Sequence, residues 1–168
     1  VCGSGIRSVV SGYQGIKSND SKIIIAGGQE NMSLAPHTMH LRDGKKLGDA
    51  KLTDTMIKDG LWDVFNDYHM GMTAENVAEK FQITREVQDQ FALKSQEKAL
   101  KAQKENKFRD EIVNFKIKSK KAEIDFNKDE HPREGVNLES LSRLKPVFKK
   151  NGTVTAGNSS GINDGAAA

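Results

Sequence analysis

Apolar residues recur at the start of the chain with the spacing of an amphipathic helix. Successive apolar positions lie three or four residues apart at Ile6, Val9, Val10, Tyr13 and Ile16. This period predicts a helix over residues 3–17. The next apolar run, residues 22–26, is continuous and rich in branched side chains, which is typical of a strand buried on both faces. A helix followed by a parallel-type strand is therefore expected.

The middle of the chain predicts a polar excursion and then two helices. Residues 29–60 carry few periodic apolar positions and are expected to lie outside the core. Thr73 is a candidate N-cap for a helix beginning at Glu75, and Thr84 for a second helix running to about Lys104. An acidic residue in the first turn of each helix suits the helix dipole.

The last third predicts short strands, a short helix and a loop. Apolar and polar residues alternate over 113–117 and, more weakly, over 124–126, which indicates strands with one solvated face. Residues 138–144 predict a short helix. Small and hydrogen-bonding residues fill positions 153–165, and this composition predicts a loop.

Composition indicates a globular protein. Hydrophobic residues make up 36% of the chain, besides 15 glycines, and the longest apolar runs are far shorter than the roughly 20 residues that cross a bilayer. The single cysteine excludes an internal disulfide and favours a reducing compartment, the cytoplasm. The chain lacks a starting methionine and stops in an apolar run, so we expect it to be part of a longer protein.

Charge is concentrated in one region. The net charge is +3, and residues 101–150 contain 14 Lys or Arg against 9 acidic residues. Such a stretch is either a solvated face or a docking surface for phosphates or nucleic acid. Within it, Arg133 follows Pro132 and suits contact with a phosphate or stacking on a base.

Cys2 is the candidate nucleophile. It stands at the start of the predicted first helix, where the positive end of the helix dipole favours a reactive thiolate. The Gly3-Ser4-Gly5 sequence leaves backbone amides open to a developing oxyanion. The alternative is a small buried apolar residue.

A cysteine nucleophile requires a base, and none of the four histidines occupies a convincing base motif. His37 and His40 are expected to be solvated loop residues, whereas His69 suits either packing or a site. Backbone amides and hydroxyls of residues 156–161 suit an amide-bearing ligand, although a structural turn explains them as well. These features together permit acyl transfer from a phosphate-bearing carrier.

Four ordered motifs resemble the thiolase family. They are Cys2-Gly-Ser-Gly-Ile, Ala26-Gly-Gly-Gln-Glu-Asn-Met-Ser, His69-Met-Gly-Met-Thr-Ala-Glu-Asn-Val-Ala and Gly152-Thr-Val-Thr-Ala-Gly-Asn-Ser-Ser-Gly-Ile-Asn-Asp-Gly-Ala-Ala-Ala. The resemblance covers the whole chain and is closest to members that act on acetyl-CoA.

The resemblance implies a site and its substrates. Cys2 would take the acetyl group as a thioester, and acetyl-CoA and acetoacetyl-CoA would be substrates, with no metal and no bound cofactor. The implied coenzyme A contacts are Leu61, His69 and Met70 beside the acyl and pantetheine groups, Arg133 on the adenine, Phe148 and Ala156 along the carrier arm, and Ser160 on pantetheine. A homo-oligomer, dimer or tetramer, without nucleic-acid or membrane partners is expected, as are roles in fatty-acid, ketone-body and isoprenoid-precursor metabolism.

The resemblance also implies an architecture. The fold would be α/β, the layered αβαβα thiolase fold. Residues 1–31 would belong to the N-terminal core domain, residues 32–151 to an inserted α+β loop domain for oligomerisation and coenzyme A binding, and residues 152–168 would return to the core.

Two family motifs are missing from the sequence. Thiolases carry a Gly-His-Pro histidine as base and a second cysteine in Cys-Gly-Gly-Gly, and neither occurs here. We therefore expect this chain to be inactive when expressed alone, with its base supplied from outside it.

Several alternatives accompany this interpretation. One is a longer-chain 3-ketoacyl-CoA thiolase, and another is a non-catalytic relative that binds coenzyme A or acyl groups. A papain-like hydrolase is disfavoured because Gly5 and Ile6 replace the cysteine and aromatic residue of that pattern. A nucleic-acid binder using residues 101–150 is disfavoured because aromatic residues are not interleaved there.

Overall fold

The chain folds into two compact units of mixed helix and strand. The computed structural model describes residues 2–118 and 122–168. The first unit runs to Met70 and includes Ile162–Ala168, and the second is Gly71–Gly161. The domain limits implied by the family resemblance, 1–31, 32–151 and 152–168, stay a prediction.

The first helix forms where the apolar period predicts it. Helix α1 is Ser4–Lys17, with Gly3 at its N-cap and Ser18 at its C-cap. Ile24 packs on one face of α1, since a Cβ at Gly12 would lie 3.0 Å from Cγ2 of Ile24. The small residue at position 12 thus allows the following segment to approach the helix.

The strand predicted at residues 22–26 does not form. In the described part of the chain this segment has no strand partner, and without a hydrogen-bonded neighbour an extended run is not a strand. Ile23 and Ile25 are each 88% exposed, whereas Ile24 is 37% exposed. The segment therefore contacts α1 through alternate side chains rather than being buried on both faces.

The first strand begins two residues further on and pairs with the end of the chain. Strand β1, Gly28–Asn31, is antiparallel to the last strand, Asp164–Ala167, with Gly28 opposite Ala167 and Asn31 opposite Asp164. A short 3₁₀ turn, Met32–Leu34, follows β1, and the side chain of Asn31 caps it by accepting a hydrogen bond from the Leu34 amide.

The polar excursion contains two short hairpins joined by a π-helix. Strands β2, His37–Thr38, and β3, Thr53–Asp54, pair antiparallel. Residues Met56–Leu61 form the π-helix. Strands β4, Trp62–Asp63, and β5, Tyr68–His69, form the second hairpin.

Two consecutive helices form the beginning of the second unit, Gly71–Gly161. Helix α2 is Met70–Lys80 and helix α3 is Arg85–Lys104. Thr84 caps α3, as predicted, by accepting a hydrogen bond from the Val87 amide. The start predicted for α2 is wrong, because Thr73 lies inside this helix. No proline lies between Met70 and Thr73 to prevent the helix from starting earlier than predicted.

Strands form near residues 113–117 and 124–126 as predicted, but all four residues of each strand are exposed, so the expectation of one solvated and one buried face is wrong. The short helix forms where it was predicted. Strands β6, Phe115–Lys118, and β7, Glu123–Phe126, pair antiparallel and set Phe115 opposite Phe126. Helix α4 is Leu138–Ser142, and strand β8, Asp164–Ala167, is the partner of β1 already described. The buried residues of the second unit include Ala78, Leu141, Val154 and Thr155. Among the residues that the structure describes, no helix is long and apolar enough to cross a membrane.

Candidate functional site

Cys2 lies on the surface just ahead of α1. It precedes the N-cap Gly3 and is exposed, which contradicts the alternative of a buried apolar residue. A Cβ placed on Gly3 or on Gly5 would meet no other atom within 4 Å. The backbone next to the thiol is therefore open to a ligand, as the glycines predict.

Cys2 lines an open cavity of about 1110 Å³ in the first unit. Ser4 and Gly5 from the start of α1, residues of β1 and β8, and the end of the π-helix complete its wall. Leu61 is one of the lining residues, so the structure brings this predicted contact to the same cavity as the thiol.

His69 and Met70 lie on the hairpin that continues from Leu61. His69 is opposite Trp62 in the β4–β5 pair, and Met70 begins α2. The hairpin turn is fixed by Asp63, which accepts hydrogen bonds from the backbone amides of Phe65 and Asn66 at 2.9 and 3.2 Å. Hydrogen bonding from the Asn66 side chain, more than the amide bonds, lowers the pKa of Asp63.

Asp164 ties the strand pair of this unit to the 3₁₀ turn. Its carboxylate accepts hydrogen bonds from the Ser33 hydroxyl at 2.6 Å and from the Ser33 amide at 3.0 Å. The hydroxyl and then the amide of Ser33 lower the pKa of Asp164. This pair holds the turn beside β1, whose residues line the cavity.

None of the first unit's histidines, His37, His40 and His69, is among the residues that line the cavity. Nε2 of His37 is 3.8 Å from Oδ2 of Asp54, and the His37 side chain is 57% exposed; His40 is exposed as well. In the second unit the His131 imidazole packs on Gly161, where a Cβ would lie 2.6 Å from Nδ1. His37 and His40 are thus surface residues, as predicted, and His131 contacts the small-residue loop.

Phe148 packs on the start of α2 in the second unit. Its ring lies so close to Gly71 that a Cβ there would collide with it. Phe148 belongs to a turn in which the Gly152 amide donates to the Lys149 carbonyl at 2.9 Å and the Val147 amide to the Val154 carbonyl at 3.1 Å. The predicted apolar contact therefore sits on a firmly hydrogen-bonded turn.

Residues 153–161, the small-residue segment, follow this turn. Val154 and Thr155 are buried, whereas Ala156 and Ser160 are exposed. Gly157 lies against α4 and the residues after it, since a Cβ there would be 2.6 Å from both Leu141 Cδ2 and Leu144 Cδ1. The segment thus presents the two residues expected to contact coenzyme A while its other side is anchored.

Arg133 is an exposed residue of the second unit. Its backbone amide donates to Oε1 of Gln96 at 3.0 Å, which fixes the backbone and leaves the side chain in solvent. Many of the surrounding basic residues are exposed too, as the solvated-face alternative predicts for residues 101–150. Residues 119–121 of that stretch lie outside the described part.

Sequence reasoning missed two buried carboxylates, those of Glu75 and Asp89. Each is 3% exposed, and each is bound by donors on or near residues 153–158. Glu75 shares a helix face with Gly71 and Ala78, at four- and three-residue spacing. Small residues on both sides of an acidic one were the available signal that this face is in close contact with another segment.

Comparison with known proteins identifies the chain. The family model described as thiolase, N-terminal domain, matches residues 1–168. The chain belongs to the thiolase family. It is 59% identical over 168 residues to acetyl-CoA acetyltransferases of Rhizobium meliloti (strain 1021) and of Paracoccus denitrificans, covering 100% of this chain and 43% of each relative. The chain therefore spans less than half the length of these curated thiolases.

Solved thiolase structures have the same fold. The acetyl-CoA acetyltransferase of Bacillus anthracis matches with a TM-score of 0.89 at 43% identity, over 98% of this chain and 42% of that one. Human mitochondrial 3-ketoacyl-CoA thiolase matches with a TM-score of 0.89 at 45% identity, over 98% and 42%. The α/β thiolase fold expected from the motifs is confirmed.

Proposed function

We propose that the full-length protein containing this chain is an acetyl-CoA C-acetyltransferase. It would condense two molecules of acetyl-CoA to acetoacetyl-CoA and coenzyme A, or run the reverse thiolysis. The observation that carries the proposal is the 59% identity to acetyl-CoA acetyltransferases along the whole chain. The exposed thiol of Cys2 in an open cavity supports it.

Cys2 is the proposed acyl acceptor. Its thiolate would attack the carbonyl carbon of acetyl-CoA, the bond from that carbon to the coenzyme A sulfur would break, and coenzyme A would leave as a thiolate that takes up a proton. The unshielded amides at the start of α1 suit the developing oxyanion. The base that receives the Cys2 proton is assigned, from the family resemblance, to a part of the protein beyond this chain.

The coenzyme A contacts remain those implied by the family. Leu61, His69 and Met70 are proposed to line the acyl and pantetheine groups. In the second unit the proposed contacts are Arg133 with the adenine, Phe148 and Ala156 with the carrier arm, and Ser160 with pantetheine. The exposure of Arg133, Ala156 and Ser160 supports these roles, because a residue that meets a ligand must be accessible.

The cellular setting is also part of the proposal. The cytoplasmic location is inferred from the single unpaired cysteine. The homo-oligomer, a dimer or tetramer, is inferred from the family resemblance. Size-exclusion chromatography with light scattering of the full-length protein would measure the oligomeric state, and a monomer would contradict it.

Acetylation of Cys2 tests the central step. The full-length protein incubated with acetyl-CoA should gain one acetyl group, located on Cys2 by peptide mass spectrometry. Cys2→Ala should abolish the modification and lower kcat for thiolysis by roughly a thousandfold or more. His40→Gln, a change in the exposed polar segment 29–60, is the matched control and should keep both the acetylation of Cys2 and the kcat for thiolysis. Acetylation that persists in Cys2→Ala would contradict the assignment.

A second candidate is a 3-ketoacyl-CoA thiolase for longer chains, favoured by the equally high TM-score to the human mitochondrial enzyme. The ratio of kcat/KM for acetoacetyl-CoA to that for a long-chain 3-ketoacyl-CoA separates the two. The short-chain function predicts a ratio above one, and a ratio below one would replace it with the longer-chain function.

A further inference from the structure

The two buried carboxylates of the second unit lie on different helices and bind the same stretch of chain. Glu75 is on α2 and Asp89 is on α3, and among the described residues they are the charged residues that are buried, each 3% exposed. A buried carboxylate is costly unless donors satisfy it. The hydrogen-bond donors around each carboxylate therefore show which segment of the chain that carboxylate fixes in place.

Glu75 holds the entrance to the small-residue segment. The Thr153 amide lies 2.9 Å from each carboxylate oxygen, and the Thr153 hydroxyl donates to Oε2 at 3.0 Å. The Val154 amide donates to Oε1 at 2.9 Å. Since hydrogen bonds to an ionised acceptor are the strong ones, Glu75 fixes two consecutive peptide units.

Glycine at position 152 makes this arrangement possible. A Cβ there would lie 2.7 Å from Cδ of Glu75, so the carboxylate reaches the amides only because the backbone carries no side chain at this point. The preceding residue, Asn151, has a left-handed φ of 59°. The backbone conformation of residues 151–152 thus allows the Glu75 carboxylate to lie directly against the turn.

Asp89 holds the other end of the segment through Asn158. Nδ2 of Asn158 donates to Oδ1 of Asp89 and to the Thr153 carbonyl, both at 3.0 Å. With its amide oriented in this way, Oδ1 of Asn158 accepts from the Thr155 amide at 2.7 Å. Arg85 donates to Oδ2 of Asp89 at 2.7 Å and satisfies the rest of the charge.

The geometry points to Glu75 and Asp89 as positioning residues for the coenzyme A arm: they hold residues 153–160 so that Ala156 and Ser160 face the ligand. This inference rests on the proposed function, in which those two residues contact the carrier. Each of the two residues is only 3% exposed, so neither carboxylate is assigned a contact with substrate. Their role is to fix the backbone whose exposed positions do.

A merely structural role would give a different pattern from a positioning role. Loss of a structural contact lowers stability and leaves the affinity of the folded protein for coenzyme A unchanged. Loss of a positioning contact weakens coenzyme A binding and preserves the rate of the chemical step, because neither Glu75 nor Asp89 lines the cavity that contains the Cys2 thiol.

The test compares Glu75→Gln and Asp89→Asn with Glu79→Gln in the full-length protein. Glu79 is on the same helix one turn further, is 69% exposed and pairs with Lys149, so its substitution also removes one negative charge from α2. Coenzyme A affinity is measured by calorimetry, KM for coenzyme A and kcat by thiolysis, and backbone order by hydrogen exchange of the Thr153 and Val154 amides.

Glu75→Gln should weaken coenzyme A binding and raise its KM on the order of tenfold to a hundredfold, because an amide cannot accept from all the donors that the carboxylate satisfies. The kcat should stay within about twofold, and the exchange of both amides should accelerate at least about tenfold. Glu79→Gln should leave all of these unchanged. Asp89→Asn should act in the same direction, and it carries the test if Glu75→Gln fails to fold.

Several results would overturn the inference. One is faster exchange or lower stability with unchanged coenzyme A affinity, and another is unchanged exchange at both amides. A protein that binds coenzyme A without thiolysis contradicts the proposed reaction, and the calorimetric comparison still decides the role of the carboxylates. A protein that neither reacts nor binds coenzyme A overturns both proposals.

Discussion

Oε1 of Glu75 accepts a hydrogen bond at 2.9 Å from the backbone nitrogen of Val154, 79 residues further along the chain. The bond joins the middle of α2 to the beginning of the small-residue segment. It requires the backbone at Gly152 to pass directly beside the carboxylate, so this approach can be tested by adding a single methyl group.

Gly152→Ala should lower the free energy of unfolding by about 1–3 kcal/mol, the usual cost of forcing an extra carbon into a closely packed site. Urea unfolding followed by circular dichroism measures it. Gly60→Ala is the control, because a Cβ there meets nothing within 4 Å, and it should leave the stability equal or slightly higher. Equal stability of the Gly152→Ala and unsubstituted proteins would show that the turn relaxes freely.

Stability should fall in acid partly through Glu75. Burial by itself raises the pKa of this carboxyl, but the Val154 amide, the Thr153 amide and hydroxyl and the nearby Lys149 together bring its pKa below the ordinary value of 4.5. A depressed folded-state pKa gives stability that is fully present above the unfolded value and is lost as the pH falls through the folded value.

The difference in unfolding free energy between the unsubstituted protein and Glu75→Gln isolates this contribution. It should be constant from pH 7 down to about the unfolded pKa of 4.5 and shrink below it. Urea unfolding at a series of pH values measures it. A difference that grows as the pH falls would mean that the pKa of Glu75 is raised rather than lowered.

The hydroxyl of Ser33 should control the ionisation of Asp164. Because this hydroxyl donates to Oδ2 at 2.6 Å, Ser33→Ala should raise the pKa of Asp164 towards its ordinary value of 3.8. Carbon-detected magnetic resonance titration of the carboxyl measures the shift. Ser8→Ala, which removes a hydroxyl bonded to the Gly5 carbonyl instead of a carboxylate, should leave it unchanged. An unchanged pKa in Ser33→Ala would exclude the hydroxyl as its cause.

The cap of α4 should support the small-residue segment from behind. Oδ1 of Asn137 accepts from the Ser140 amide at 2.9 Å and the Ser140 hydroxyl accepts from the Asn137 amide at 3.1 Å, while Leu141 of this helix packs near Gly157. Asn137→Ala should cost about 1 kcal/mol of unfolding free energy, and Asn137→Asp should retain most of it. Thermal unfolding of the two variants side by side measures the difference, and equal losses would argue against the cap.

Local signals in the sequence predict the helices well. The structure confirms the apolar period of α1 and the Thr84 cap of α3, both of which depend on neighbouring residues. It also confirms that the polar segment 29–60 lies outside the core, since none of its residues is buried. The strand at residues 22–26 failed because strand formation depends on a partner distant in sequence. The start of α2 was placed too late because Thr73 has the composition of a cap but lies inside the helix.

The residues of the candidate site also differ in whether the sequence alone could predict them. Cys2 could be proposed from its glycine neighbours, and its exposure agrees with that proposal. The burial of Glu75 and Asp89 could not be predicted from the sequence, because acidic residues on charged helices are normally solvated. Apart from Arg85, which is four residues from Asp89, the partners come from residues 69 to 79 positions away in the chain, and only the fold shows them.

The hydrogen bonds of Glu75 to Thr153 also have a consequence for the order of folding. They join residues 78 positions apart, so the chain between them must close a long loop before the carboxylate meets its donors, at an entropic cost that grows with the logarithm of loop length. Helices α2 and α3 need no such closure, whereas the turn at Gly152 does. We therefore expect this turn, next to the proposed coenzyme A contacts, to form after the two helices.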